Sequence, residues 1–275
     1  MVAIERATVT RLAEQSSVQP SPTADADAVR QQTDGLIRSE PAEQPSAIFL
    51  WPQVRPRFCL PDDRGVEYLD LSPYDYLGFP LPMRTVGWLG RRYGVQGADM
   101  APMTGAELEQ LRAASRRLGS RTLGWHDCDF CGAVEGNGEY RYYLPDGEIY
   151  AAPMMILHYV EEHGYRPPRE LRNGLQAAGQ SRWDWRAERL HAVLLDQSEN
   201  PEHRCQAAID LALWNDPRAL DALRHAAHDE DLADSAGDEI GRSLAAFVDR
   251  GLARDLLTED LHDMVRYGID DAAGR

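Results

Sequence analysis

Apolar and polar positions follow different periods in different parts of the chain. Between about residues 183 and 268, apolar side chains recur three and four positions apart, as at Ile209, Ala212 and Leu213 and again at Leu220, Leu223 and Ala227. That spacing lines one face of a helix. Four or five segments carry it: WDWRAERLHAVLLDQ, PEHRCQAAIDLALW, PRALDALRHAAHD, SAGDEIGRSLAAFVDRG and LARDLLTEDLHDMVRYG. Pro201 and Pro217 each open a segment, where a missing N–H costs nothing, and Asn-Asp-Pro makes a short turn between antiparallel helices.

Upstream the pattern is mixed. RFCL and VEYLDL flank PDDRG as a predicted hairpin, and TVGWLG (85–90) reads as a further strand. Residues 104–119 predict a helix, with Thr104 as N-cap, Glu107 completing a capping box and Gly119 as the stop. YRYYL and EIYAA flank Pro-Asp-Gly as a second hairpin, after which Pro153 opens a helix, MMILHYVEEHGY, that Gly164 closes. Strands and helices without βαβ alternation imply an α+β fold. Residues 1–48 contain no aromatic side chain and are rich in Pro, Ser, Gln, Ala and acids. Too little apolar surface is available there to offset ordering entropy, so disorder is expected. The predicted organisation is a disordered N-terminus (1–48), an α+β domain (49–175) and an all-α helical segment (176–275).

Charge narrows the function. All 29 basic residues are Arg against 45 acidic ones, a formal net charge of −16. The absence of Lys excludes Schiff-base and phosphate-loop lysine chemistry. The negative excess argues against nucleic acid, whose affinity rests on phosphate neutralisation. No run approaches the roughly 18 apolar residues of a membrane helix. The start, Met1 to Arg6, lacks a secretory pattern. Four cysteines, Cys59, Cys128, Cys131 and Cys205, do not make a disulfide scaffold. A reduced, cytoplasmic setting is expected.

The chemistry concentrates in His126-Asp127-Cys128-Asp129-Phe130-Cys131 and in the downstream pair His158 and His163. Two thiolates on a tight turn can share one zinc at about 2.3 Å each, and Gly132 lets the backbone fold back. Five residues of helix advance about 7.5 Å and turn off one face. The two histidines therefore share a metal only where the helix loosens, and Gly164 places its end just after His163. The expected ligands of a structural zinc are Cys128, Cys131, His158 and His163, with His126 able to replace one histidine. Competing readings are an open metal site with water as fourth ligand and Glu139 as proton carrier, a redox pair, and plain burial of the thiols. The acids beside Cys128 make a deeply buried apolar role awkward. HYVEEH has one residue too many for an inverted zinc-peptidase motif. His225 and His228 read as helix-end residues that complement the dipole, and His191, His203 and His262 as solvated helix positions. The tyrosines at 140, 142, 143 and 150 read chiefly as packing residues.

Two resemblances follow from these residues. AIDLALWNDPRALDALRHAAHDEDL, within about 185–268, resembles HEAT-type repeats, which stack helix pairs into a surface that binds other macromolecules. GWHDCDFC, GNGE and HYVEEHGY, with VGWLG upstream, are similar to an uncharacterised family of high-GC actinobacteria, and the likeness covers about residues 70–170. It matches at His126, Cys128, Cys131, Glu139, His158 and His163, and implies no activity. The combined expectation is a small zinc-finger-like α+β domain joined to HEAT-like helices, serving as a protein-binding or adaptor module. Residues 181–275 hold 21 acids and 11 arginines, so a partner with a basic face would fit, as would an immunity or antitoxin role. A metal-dependent enzyme at the same residues is the alternative.

Overall fold

Tyr140, Tyr142 and Tyr143 cannot all face one side of an extended strand, because side chains alternate. All three are nevertheless buried, since the sheet that holds them is covered on both sides. The computed structural model describes residues 66–177, 179 and 181–274. Four strands, β1 (Arg84–Thr85), β2 (Ser120–Asp127), β3 (Glu135–Tyr143) and β4 (Ile149–Pro153), lie side by side in the order β1-β4-β3-β2. β3 and β4 form the antiparallel hairpin predicted around Pro-Asp-Gly, with Tyr142 opposite Tyr150, and Gly147 turns it at φ 96°. β1 runs parallel to β4, and β2 runs antiparallel to β3 along the outer edge.

One face of the sheet gathers Tyr140, Tyr142, Tyr150 and Ala152. They pack on Leu111 of α1 (Gly105–Ala114), Ile156 and Tyr159 of α2 (Ile156–His163) and Leu171 of α3 (Arg169–Ala177). The other face presents Tyr143, Ile149 and Ala151 to the helical segment: α4 (Trp185–Leu195), α5 (Pro201–Leu211), α6 (Pro217–Ala227), α7 (Glu230–Asp249) and α8 (Asp263–Ala272). Leu190, Leu211, Leu223, Leu244 and Ile269 contribute to that second core. Each such side chain contributes about 1.5–3 kcal/mol of transfer free energy. Tyr143 meets Trp214 edge to face at 5.0 Å. The described residues belong to a single compact unit. The α+β arrangement followed by helices is the one the sequence implies. No helix among the described residues is long and apolar enough to cross a membrane.

Several boundaries differ from expectation, each for a local reason. The capping box at Thr104 and Glu107 forms, but α1 ends at Ser115 rather than Gly119. The Ser115 hydroxyl turns back to the Leu111 carbonyl and to Tyr142, at 2.8 Å each. Gly119 serves close packing instead: a Cβ there would lie 2.9 Å from the Arg141 side chain. Pro153 ends β4 rather than opening a helix, because the Met154 N–H still pairs with Gly138. VEYLDL is irregular, held to residues 83–88 by single backbone bonds such as Tyr68 N–H to the Trp88 carbonyl, and TVGWLG contributes only Thr85 to a strand. β2 and α3 are elements the pattern did not reveal. LARDLLTEDLHDMVRYG divides into a short 3₁₀ helix (Arg254–Thr258) and α8, because His262 caps α8 by accepting from the Met264 N–H. RFCL and the N-terminal 48 residues lie outside the described residues.

Candidate metal centre

The link from β2 to β3 folds into a tight turn. The Cys128 N–H donates to the Val134 carbonyl at 2.8 Å, and the Gly132 N–H returns to the Cys128 carbonyl at 2.7 Å. Gly132 takes φ 65°, the left-handed region that favours glycine. Backbone N–H groups of Phe130 and Cys131 face the Cys128 sulfur, and the Ala133 N–H donates to Cys131 Sγ at 3.4 Å. Cys128 is buried although acids flank it. Asp127 points to solvent and Asp129 toward Arg91, so the expected conflict between those acids and a buried thiol does not arise.

The second half of the cluster comes from α2. In a regular helix, His158 and His163 would be rotated by about 140° from one another. The helix end is loosened. The Gly164 N–H donates five residues back, to the Tyr159 carbonyl, and Tyr165 donates to the same oxygen at 3.0 Å. A five-back bond is the wider π-type turn, which reduces the rotation per residue. Gly164 then closes the helix at φ 68°. Phe130 packs its ring 5.3 Å from that of His163 and 6.0 Å from that of Tyr159.

These two pieces bring Cys128, Cys131, His158 and His163 together, with their ligand atoms within 4.8 Å of one another. Cys128 Sγ lies 3.3 Å from His163 Nε2, Cys131 Sγ 3.4 Å from His158 Nε2, and the two Nε2 atoms 3.1 Å apart. A tetrahedral zinc would need edges of about 3.6 Å between sulfur and nitrogen and about 3.4 Å between nitrogens. These three edges lie within about 0.3 Å of those values. Burial raises the Cys128 thiol above its ordinary range, opposed by the Phe130 and Cys131 amides. Burial and the neighbouring His163 lower His158. Cys128 and His158 thus favour their neutral forms in the absence of a cation, and a bound metal ion would supply the charge that holds thiolates there.

Other sequence candidates fall elsewhere. His126 lies on β2 opposite Gly136, outside the four-residue cluster. Glu139 sits on the opposite face of β3, where its carboxylate accepts from Arg141 at 2.9 and 3.0 Å and from the Tyr74 hydroxyl. Arg141 also donates to Asp210 at 2.8 Å and Gln206 at 3.1 Å, both on α5, and Tyr143 donates to Asp210 at 2.7 Å. That buried network occupies Glu139, which is no proton carrier for the metal cluster. His225 and His228 stand at the end of α6, each bonded through Nδ1 to the carbonyl four residues back, as a helix-end role requires.

Two supporting residues escaped the sequence reading. Phe130 was visible inside Cys-x-Phe-Cys but had no assigned role. Asp70 accepts from the Tyr165 hydroxyl at 3.0 Å and the Gly87 N–H at 2.9 Å, which ties down the chain leaving α2. Nothing local in the sequence marks that tie.

Residues 66–176 match a family described as Domain of unknown function (DUF7919), and all four cluster residues fall inside the matched stretch. The chain matches no curated protein and no solved structure. The match stops before the helical segment from α4 onward.

Proposed function

We propose that Cys128, Cys131, His158 and His163 hold one structural zinc ion and that the protein works as a zinc-stabilised protein-binding module. The observation that carries this reading is the meeting of two thiols and two imidazoles from a turn and a helix 27 or more residues apart. Two sulfur and two nitrogen donors suit zinc better than hard cations, which select oxygen. Four protein donors fill a tetrahedral shell and leave no position for water, which favours a structural over a catalytic role. The ion would pin the β2–β3 turn to α2.

The helical segment, HEAT-like in sequence, supplies the partner surface in this reading. Trp185, Leu213, Leu252 and Tyr267 are exposed there among an acidic excess, which suits a protein partner with a basic face. Metal analysis of the purified chain tests the proposal. One zinc per chain is expected, falling to near zero in Cys128→Ser with a lower melting temperature. Full zinc occupancy in that variant would refute the assignment.

A further inference from the structure

β2 is the outer strand of the sheet, and its exposed side carries an unusual sequence for an edge left in water. Arg121, Leu123, Trp125 and Asp127 all point outward; Leu123 is fully exposed and Trp125 is 56% exposed. Between the pairs Arg121–Gly138 and His126–Gly136, residues 122–125 face Asn137 alone, so Leu123-Gly124-Trp125 arches away from β3. The arch is tied at its base. The Thr122 hydroxyl reaches the carbonyls of Gly124 and Asn137 at 3.1 Å each, and the Asn137 amide donates back to the Thr122 carbonyl at 3.2 Å. Solvated edges are usually blunted with charge, whereas the crest of this one bears two large apolar side chains.

The residues around the arch are complementary to themselves. Arg121 and Asp127 stand three positions either side of Gly124 with opposite charge, and neither forms an ion pair among the described residues. Leu123 and Trp125 stand one position either side. A Cβ at Gly124 would meet nothing within 4 Å, so the centre of the arch is open to a close neighbour.

We propose that this arch is a self-association surface, on which two copies of the chain meet antiparallel about a twofold axis at Gly124. That operation sets Leu123 of one protomer against Trp125 of its partner, and Arg121 against Asp127, each pairing occurring twice. A different protein would place no such demand for symmetry on this sequence, which is why a second copy is the favoured occupant. One short edge per protomer falls well below the roughly 1,600 Å² of a standard interface. The dimer is therefore weak.

Sedimentation equilibrium of the full zinc-loaded chain over about 1–200 μM, a range spanning weak association, tests it. The average mass should rise from 30.8 kDa toward twice that value. Leu123→Ser should abolish the rise, and Arg121→Asp should weaken association about tenfold or more. The double variant Arg121→Asp with Asp127→Arg should restore it. A mass fixed at 30.8 kDa throughout would overturn the proposal. So would single variants that dimerise like the parent, or a double variant that stays monomeric. Zinc content measured on the same samples separates failure here from failure of the metal assignment.

Discussion

Burial raises the Asp70 carboxyl to about 6, even though hydrogen bonds from the Gly87 N–H and the Tyr165 hydroxyl act to lower it. An acid with a folded pKa above its unfolded value binds its proton more tightly in the native state. Its stabilising contribution is complete below about 3.8 and is lost as pH rises through about 6. Asp70→Asn removes that titration while keeping an oxygen to accept from Gly87. The variant should gain about 1–2 kcal/mol relative to the parent between pH 5 and pH 8, read from denaturant unfolding with zinc saturated at both values. A pH-independent difference would show that the carboxyl is not penalised by burial. At this scale, the legible residues were those whose chemistry is local. Cys128, Cys131, His158 and His163 announce themselves by type and spacing. Asp70 does not, because its partners stand 17 and 95 positions away and only the fold brings them near.

The same division runs through the elements. The capping box of α1, the Pro-Asp-Gly hairpin, the proline starts of α5 and α6 and the glycine stop of α2 are local devices, and each forms where the sequence places it. β2 was hidden because Gly124 interrupts it and its apolar residues, Leu123 and Trp125, face solvent instead of a core. α3 was hidden behind two prolines, and Gly119 was misread because its role is to admit Arg141. Gly164 deserves its own test, since it both ends α2 and permits the widened turn that brings His163 back toward His158. A Cβ there meets nothing within 4 Å, so the cost of Gly164→Ala is conformational alone. It should be about 1–2 kcal/mol, with zinc affinity falling alongside. Gly164→Asn should lose less, because Asn tolerates the left-handed region. Thermal unfolding and zinc competition with a chromophoric chelator give the two numbers. Equal losses for Ala and Asn would mean that the left-handed turn is not what limits the site.

For the molecule as a whole, β3 is the shared element. Tyr140 and Tyr142 belong to the core that also holds Cys128 and Tyr159, while Arg141 and Tyr143 reach α5 through Asp210 and Gln206, and Glu139 joins them through Arg141. Arg141 and its acids are buried, and a buried charge that loses its partner costs several kcal/mol. The sheet therefore cannot open without stranding charges on α5, and the two cores should unfold as one. Structural zinc contributes about 10 kcal/mol in small zinc-finger peptides, so a strong coupling is expected here also. Hydrogen exchange on the zinc-loaded and chelated protein reads this directly. Amides of β3 and α5 should open with the same free energy, and removal of zinc should lower both by the same amount although α5 contributes no ligand. Were α5 to keep its protection while β3 lost it, the Arg141 network would be a contact between independent parts. The metal would then stabilise only the sheet and α2.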